Sequence, residues 1–274
     1  MIEIQHEISY KIIQDKNQLA LFKESILNLF ERSFQKKLSA ELWEWSYINN
    51  VCGDPVVSLA FDQERLIGHY AVIPLRLKNS HSHFKSCLSM TTMVDLDYRG
   101  RGLFVTQAKQ VYHKLIDLNY DMVIGFPNSN SAHGFKKHLG WHVNEPSEYM
   151  ITVTKKQLAQ SYELPVAIKT SHSVGFDVSD SAFLQWRLSK PGQVYEKVGS
   201  SIVKKFQDAY DIVYLGQDYL HDLNDNDQYN LFIDSNITDL LKYKVADYHY
   251  GYRCFSTIPH ELIFKKDLLL SDVF

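Results

Sequence analysis

The stretch "MVDLDYRGRGLF", residues 93–104, alternates arginines and glycines between two apolar segments. Arg99, Gly100, Arg101 and Gly102 stand where a predicted strand ends and a predicted helix begins. The start of a helix leaves several backbone N–H groups without partners and carries about half a positive charge, so it binds anions. Glycines let the main chain approach a phosphate closely, and arginines add charge-assisted contacts. The pattern indicates a phosphate cradle, and a solvated turn with two exposed arginines is the alternative.

Periodic apolar segments surround this stretch and would position it. Apolar residues at helical spacing predict amphipathic helices in "QLALFKESILNLFERSF" and "LFVTQAKQVYHKLIDLNY". Between them, "PVVSLAFD", "RLIGHYAVIPLRLK" and "KSCLSMTTMVDLD" are typical of three strands in an antiparallel meander. A short buried strand "DMVIGFP", a short helix in "SNSAHGFKKHLGW" and a strand "EYMITVTKK" follow. This order predicts an α/β fold built on a mixed sheet.

The composition limits the class of protein. A chain of 274 residues allows one large or two small domains, and two are slightly favoured. A formal charge of −3 gives no global attraction to nucleic acid or to an anionic membrane. The three scattered cysteines indicate reduced thiols, and neither a signal peptide nor a membrane-spanning segment is predicted. We expect a cytoplasmic protein with small-molecule partners, without nucleic-acid or membrane partners, and with an open oligomeric state.

Two motifs resemble the signatures of one enzyme superfamily. "VDLDYRGRGLF" resembles the pyrophosphate-binding loop of the GNAT superfamily of acyl-CoA N-acyltransferases, and "GFPNSNSAHGFKKHLGW" is similar to that superfamily's second signature. The resemblance implies that acyl-CoA is the co-substrate and that the strand over residues 91–96 pairs with its pantetheine arm. It implies no metal. The coenzyme-binding residues implied are Met93, Val94, Leu96, Arg99, Gly100, Arg101, Gly102, Leu103, Phe104, Asn128, Asn130, Ser131 and Lys137.

The sequence departs from the superfamily at one catalytic position. Many relatives carry a tyrosine four residues before the glycine that corresponds to Gly140, where it protonates the leaving thiolate, but this chain has Lys136 there. Lys136 could substitute for it, contact coenzyme phosphates or be a solvated lysine. The oxyanion donor would be a backbone N–H near Met93 or Val94. Because the usual tyrosine is absent, an acyl-CoA-binding module without catalytic activity is an alternative to an enzyme.

Acyl transfer to an amine also needs a proton acceptor. The candidate catalytic residues are His133, in the second signature, His69, on a strand expected to flank the acceptor, and Asp95; Glu148 is a further candidate. Each lone histidine is more often a surface or packed residue than a base, and water could also take the proton. His81 forms an H-x-H pair that lacks a third metal ligand.

The second half of the chain repeats a pattern of the first. "SAELWEWSYINN" is echoed by "DSAFLQWRLSKP", so Leu42 and Trp45 correspond to Phe183 and Trp186. Strand-like runs follow both segments, but the second half has no R-G-x-G loop. We predict a GNAT-like coenzyme-binding domain over residues 1–160 and a degenerate GNAT-like domain over 161–274 that contributes to acceptor binding. Coincidental similarity within one continuous domain is the alternative.

The acceptor is predicted from aromatic and basic residues near the expected cleft. The candidate acceptor-binding residues are Tyr70, Arg187, Tyr250 and Tyr252, although sheet packing also explains the alternating tyrosines of "ADYHYGYRCF". With "FLQWRL" and "GFPNSNS", the two-part chain resembles bacterial N-acyltransferases for nucleotide-linked amino sugars. That resemblance implies a dTDP-linked 3-amino-3,6-dideoxyhexose as acceptor, in surface polysaccharide precursor synthesis, and an acetyl or longer acyl group such as 3-hydroxybutanoyl. An acyltransferase for a protein, peptide or aminoacyl amine is the alternative.

Overall fold

A computed structural model describes residues 7–143, 148–165, 173–256, 262, 264–265 and 267–271. None of the helices in these ranges is both long and apolar enough to cross a membrane. The helices are α1 (Lys16–Ala20), α2 (Lys23–Phe34), α3 (Ala40–Tyr47), α4 (Leu103–Asp117), α5 (Ser129–Leu139), α6 (Lys155–Ala159), α7 (Ser181–Leu188), α8 (Tyr219–Asp222) and α9 (Leu268–Ser271). The strands are β1 (Ile8–Ile13), β2 (Val56–Asp62), β3 (Arg65–Lys78), β4 (His83–Val94), β5 (Met122–Gly125), β6 (His142–Val143), β7 (Glu148–Thr154), β8 (Gly175–Phe176), β9 (Tyr195–Val198), β10 (Ser201–Phe206), β11 (Ala209–Tyr214), β12 (Gln228–Asp234), β13 (Lys244–Tyr248) and β14 (Gly251–Cys254).

The first sheet has the strand order β1-β2-β3-β4-β5-β14-β6, with β8 added to β3. Strands β2 to β4 form the predicted antiparallel meander, and β4 then pairs with β5 in parallel. Helix α4 covers one face because its buried residues recur at helical spacing, and Val111, Tyr112 and Leu115 pack there against Tyr70 and Val72 of β3. The other face packs on α2, α3 and α7. The predicted mixed α/β fold is confirmed.

The second sheet repeats this plan in a smaller form. Its order is β13-β7-β12-β11-β10-β9, with antiparallel hairpins through β9, β10 and β11 and a parallel pair between β11 and β12. The parallel pair β11–β12 therefore corresponds to β4–β5 of the first sheet. Helices α6 and α8 supply buried residues to the core on the outer face.

The two halves exchange one strand each. Strand β7 precedes residue 160 but lies in the second sheet, antiparallel to β12, whereas β14 lies in the first sheet, antiparallel to β5. In the second sheet, β13 lies beside the exchanged strand β7, and in the first sheet, β6 lies beside the exchanged strand β14. The division between the sheets therefore does not follow a single boundary at residues 160/161.

The repeated tryptophans form a direct contact between the two halves. The indoles of Trp45 on α3 and Trp186 on α7 stack with centroids 4.9 Å apart and an interplanar angle of 15°. Trp45 Nε1 donates to the Trp186 carbonyl at 2.8 Å, and Trp186 Nε1 donates to the Trp45 carbonyl at 2.9 Å. Such mutual contacts are typical of two elements related by a twofold axis. The sequence repeat thus corresponds to two equivalent helices that face each other.

Candidate active site

The stretch that joins β4 to α4 is shaped to bind an anion. A short 3₁₀ turn, Leu96–Tyr98, follows β4, and both Gly100 and Gly102 have φ of 78°. A Cβ added at either glycine would meet no atom within 4 Å, so the left-handed backbone, and not crowding, requires glycine here. Gly102 caps α4 without any side-chain hydrogen bond, which leaves the amides of the first turn available to an anion. We call residues 99–104 the anion loop.

The arginines of the anion loop contact main-chain carbonyl groups that lie outside the loop. Arg99 Nε lies 3.4 Å from the Val94 carbonyl, and its Nη2 donates to the Ser33 carbonyl at 3.3 Å. Arg101 Nη2 donates to the Asp97 carbonyl at 3.3 Å, and its guanidinium lies over the Tyr98 ring. Both side chains remain exposed. They are available at the rim of the loop, while the amides form its floor.

Asp95 anchors the anion loop instead of acting as a base, which corrects its prediction as a catalytic residue. The carboxylate is 2% exposed and accepts from Arg32 Nε at 3.0 Å and from Arg65 Nη2 at 2.9 Å. Burial acts to raise the pKa of Asp95, but the hydrogen bonds from the two guanidinium groups hold it below its ordinary value. A carboxylate occupied in this way is a poor proton acceptor.

A β-bulge interrupts β4 just before the anion loop. The pairing with β3 shifts register between His69 and Ala71, and Thr91 has φ of 52°. A threonine in this region costs on the order of 1–3 kcal/mol, so the surrounding structure must impose the conformation. Tyr47 donates its hydroxyl to Thr91 Oγ1 at 3.0 Å, and the His69 Nδ1 lies 2.7 Å from the Thr91 carbonyl oxygen. Bulges beside active sites redirect the local main chain.

His69 supports this bulge, which corrects its prediction as a general base. The side chain is fully buried. Because a carbonyl only accepts, Nδ1 carries the proton, and Nε2 has no partner among the described residues. Burial lowers the pKa of His69 from 6.5 to about 4, although the bond to Thr91 opposes this effect. The imidazole therefore stays neutral and inaccessible to an amine.

Beyond the bulge, β4 and β5 separate. Their parallel pairing runs only from Ser86 to Leu88 on β4 and from Met122 to Ile124 on β5. The rest of β4 reaches Val94 without β5 beside it. Met93 is buried and Val94 half-buried, whereas the Leu96 side chain is 49% exposed. The resulting gap, which we call the split, offers a free strand edge to an extended ligand.

Helix α5 closes the other side of the split. Asn128 caps it, since its Oδ1 accepts from the amides of Asn130 at 3.1 Å and Ser131 at 3.0 Å. The helix packs closely on α4, because a Cβ on Gly134 would lie 3.0 Å from the Phe104 ring. The predicted coenzyme residues at 128, 130 and 131 therefore belong to one capped turn beside the split.

The charged face of α5 is exposed to solvent. His133, Lys136 and Lys137 are exposed, while Phe135 turns inward and packs on Phe104 with ring centroids 5.0 Å apart. The His133 ring faces His138 on the helix surface, 6.5 Å away. His133 is absent from the lining of the neighbouring cavity. The side chain of Glu148 lies outside the described residues.

A cavity of about 810 Å³ lies between the end of β5 and the second sheet. The first half supplies residues 126–129, which run from the end of β5 to the first residue of α5, and the second sheet supplies the opposite wall. The lining comprises Phe126, Pro127, Asn128, Ser129, Met150, Thr152, Lys204, Phe206, Gln207, Asp208, Ala209, Asp211, Asn230, Val245, Asp247, Tyr248, His249 and Leu268.

Four polar side chains lie side by side across the wall of this cavity. Thr152 on β7 pairs with Asn230 on β12, which pairs with Asp211 on β11, which pairs with Lys204 on β10. Thr152 Oγ1 donates to Asn230 Oδ1 at 2.8 Å, Asn230 Nδ2 donates to Asp211 Oδ1 at 2.8 Å, and Lys204 Nζ lies 3.6 Å from Asp211 Oδ2. We call this row the polar ladder.

The polar ladder replaces hydrophobic core at this position. Two residues further along three of the strands, Ile202, Val213 and Phe232 lie on the same sheet face and belong to the core between the halves. A switch from apolar to hydrogen-bonded polar residues on one buried face indicates a site built for a polar ligand. Three carboxylates in the lining, Asp208, Asp211 and Asp247, and one ammonium, Lys204, give it a formal charge of −2.

The predicted acceptor residues lie elsewhere, and this is a correction. Tyr70 is buried beneath α4 and hydrogen-bonds the Tyr112 hydroxyl at 2.8 Å. Arg187 is fully buried and donates from Nε to the Leu269 carbonyl at 2.9 Å. Tyr250 packs on Phe126, and the half-buried Tyr252 stacks on His142. All four belong to packing between elements.

The tyrosine-rich segment of the sequence contains two residues of the cavity that were not predicted as site residues. Tyr248 and His249 line the cavity and lie in the same tyrosine-rich segment. The alternation of three tyrosines predicted one strand, but β13 ends at Tyr248 and β14 begins at Gly251 in the other sheet. The His249 Nδ1 is buried and has no hydrogen-bond partner among the described residues. This imidazole is a candidate proton acceptor for a ligand in the cavity.

The comparison with protein families gives a match over the part of the chain that contains the anion loop and the split. Residues 22–143 match the family described as acetyltransferase (GNAT) domain. The matched range contains the anion loop, β4, β5 and α5. No curated protein sequence matches the chain.

Solved structures share the fold of both halves. A GCN5-related N-acetyltransferase from Kribbella flavida aligns with a TM-score of 0.58 at 12% identity, over 90% of this chain and 71% of its own. A probable N-acyltransferase from Enterococcus faecalis V583 gives a TM-score of 0.63 at 10% identity, over 89% and 72%. A putative acetyltransferase from Pyrococcus horikoshii gives 0.52 at 11% identity, over 97% and 98%. At these identities the likeness establishes the GNAT fold.

Proposed function

We propose that the protein transfers an acyl group from acyl-CoA to the primary amine of an acceptor held in the cavity, by direct attack in a ternary complex. The observation that carries the proposal is that the split and the cavity meet. Residues 126–129 follow the last residues of β5 beside the split, and they also line the cavity. An acceptor amine in the cavity would lie next to a thioester in the split, and such proximity supplies much of the rate enhancement in a reaction of two bound substrates.

The anion loop would hold the coenzyme's pyrophosphate on the amides of residues 99–104, with the arginines at the rim. The pantetheine arm would run along the free edge of β4 past Leu96, Val94 and Met93, and the capped turn at Asn128, Asn130 and Ser131 would flank it. Lys137, exposed on α5, would contact a coenzyme phosphate. A backbone N–H near Met93 or Val94 would stabilise the oxyanion. The acyl group would be acetyl or a longer one such as 3-hydroxybutanoyl.

His249 would take the proton from the amine. It lines the cavity, and because its Nδ1 is buried, the proton acceptor would be the other ring nitrogen, Nε2. A base must come within hydrogen-bond reach of the proton that it removes. His249 satisfies this requirement through its place in the cavity wall, whereas His69 is buried and His133 is exposed on α5.

An amino sugar is the acceptor that the cavity favours. Carboxylates and amides bind sugar hydroxyl groups, and a negative lining attracts a protonated amine. The dTDP-linked 3-amino-3,6-dideoxyhexose of surface polysaccharide synthesis is the specific candidate. Because the lining has a formal charge of −2, we expect the sugar and its amine to enter the cavity while the nucleotide phosphates stay at its rim.

The test is coenzyme thiol release with acetyl-CoA and 3-hydroxybutanoyl-CoA and a panel of acceptors. The panel contains free amino sugars, dTDP-linked amino sugars, a lysine peptide and an aminoacyl ester, and mass spectrometry identifies each product. We expect acylated amino sugar. Turnover with the peptide or aminoacyl amine alone would replace the sugar by a peptide-type acceptor. Tight acyl-CoA binding without turnover of any amine would show a binding module.

A further inference from the structure

The second sheet carries apolar side chains directly beside the polar ladder. Met150 lies two residues before Thr152 on β7, so both side chains point to the same face of the sheet. Phe232 and Asn230 have the same relation on β12, and Phe232 is the strand partner of Met150. Met150 and Phe232 pack in the core between the two halves. The wall therefore changes from hydrogen-bonded to apolar side chains within two residues of each strand.

Phe126 connects these apolar side chains to the split. It directly follows Gly125, the last residue of β5, and its ring stacks on Phe232 with centroids 6.3 Å apart and an interplanar angle of 11°. Phe126 and Met150 are half-buried, Leu268 on α9 is 8% exposed, and all three line the cavity. We call Phe126, Met150 and Leu268 the apolar patch. Through Phe126, the apolar patch adjoins β5, the strand that borders the split.

The apolar patch and the polar ladder favour different chemical groups. A hydroxyl group placed against three hydrocarbon or thioether side chains would give up its hydrogen bonds to water without gaining others. A hydrocarbon chain in the same place gains free energy with the apolar surface that it removes from water. The chain of a thioester in the split can extend past Phe126 into the cavity. The patch is therefore suited to the acyl chain, and the polar ladder to the acceptor.

We propose that the apolar patch is an acyl-chain subsite that selects acyl groups longer than acetyl, with Met150 as its specificity-determining residue. The proposal rests on the proposed function, which places the thioester in the split and the acceptor in the cavity. A cavity of about 810 Å³ lies within the size range of sites for drug-sized ligands, so it has room for a chain and a sugar ring together. Met150 and Leu268 lie outside residues 22–143, so the selectivity comes from beyond the part of the chain that matches the GNAT domain.

Met150 marks the border between the two parts of the wall. Its unbranched, flexible side chain adapts to the shape of a bound chain, as methionines in binding surfaces do. The next side chain on the same face of β7 is Thr152, whose hydroxyl is hydrogen-bonded to Asn230. A chain that extended past Met150 would cover polar groups of the ladder, so the gain in affinity with chain length should end there.

A binding test with S-ethyl-CoA and S-butyl-CoA needs no acceptor, because these thioethers cannot transfer their chains. Burial of the two additional methylene groups corresponds to roughly tenfold tighter binding, so calorimetry should give S-butyl-CoA the lower Kd by that factor in wild type. We expect Met150→Trp, which fills the patch, and Met150→Asn, which makes it polar, each to bring the two Kd values within about threefold. The asparagine variant serves if the tryptophan variant does not fold.

Thr152→Val is the matched control on the same face of the same strand. It removes a hydroxyl from the polar ladder with little change of shape, and the roughly tenfold preference for S-butyl-CoA should remain. Equal Kd values for the two thioethers in wild type, or a preference that survives both Met150 variants, would overturn the proposal. A preference that Thr152→Val enlarges would place the chain on the polar ladder and would also overturn it.

The failure of the proposed function would give a different result. In that case wild type would still prefer S-butyl-CoA and the Met150 variants would still lose this preference, but butanoyl-CoA would release no thiol with any amine of the panel. Such a result would support the subsite and refute acyl transfer.

Discussion

The buried His69 predicts a specific loss of stability in acid. Its pKa is lowered by burial from 6.5 to about 4. Between these pH values the unfolded chain binds a proton at this imidazole and the native state does not, so the free energy of unfolding falls as the pH falls through the window. Each pKa unit corresponds to about 1.4 kcal/mol, and the difference gives a loss of about 3 kcal/mol between pH 7 and pH 4.

The assay is urea unfolding at several pH values for wild type, His69→Gln and His113→Gln. Other groups, such as Asp95, contribute to acid lability in all three proteins, so the difference between variants isolates His69. We expect His69→Gln to lose about 3 kcal/mol less than wild type on acidification. His113 is exposed on α4, and its variant should follow wild type. Identical losses in wild type and His69→Gln would refute the account of His69.

The cavity and the contact between the halves give three further predictions. Asp211→Asn, which keeps the shape of the polar ladder, should lower kcat/KM for the acceptor about tenfold or more without changing the Kd for acyl-CoA. If acyl-CoA binding weakened as much as kcat/KM for the acceptor fell, the polar ladder would not be the acceptor site. His249→Gln should lower kcat about 100-fold, whereas His133→Gln should change kcat less than about twofold. Trp45→Phe and Trp186→Phe should each lower the free energy of unfolding by about 2–4 kcal/mol in chemical denaturation. The double variant should lose less than the sum of the two, because both substitutions disrupt the same mutual contact. Additive costs would argue against that contact.

The sequence predicted the elements that depend on local periodicity. The helix α4 follows from apolar residues three and four apart, and the meander β2 to β4 follows from strand-like runs with short polar turns. Gly102 could be recognised because a left-handed cap before a helix requires glycine. The repeat of Trp45 and Trp186 indicated that the two halves are equivalent, but it did not show that the two indoles are in contact.

The remainder of the site depends on tertiary pairing. Strands β7 and β14 have no local feature that tells which sheet they join, and the exchange moves Tyr248 and Tyr252 into different sheets. The polar ladder takes one residue from each of four strands, and each residue alone is indistinguishable from a solvent-facing position. Thr91 gives no sign of a positive φ, because threonine rarely adopts it and only the bulge imposes it.

Coenzyme binding to variants of the anion loop is the sharpest test of whether this loop holds the pyrophosphate. Gly102→Asp places a negative charge at the start of α4, and Gly192→Asp is its matched control, because Gly192 has φ of 74° and equally open surroundings. Calorimetric titration with acetyl-CoA should show at least about tenfold weaker binding for Gly102→Asp, equivalent to about 1.4 kcal/mol, and no more than about twofold for Gly192→Asp. Equal affinity in wild type and Gly102→Asp would contradict a pyrophosphate site at the anion loop.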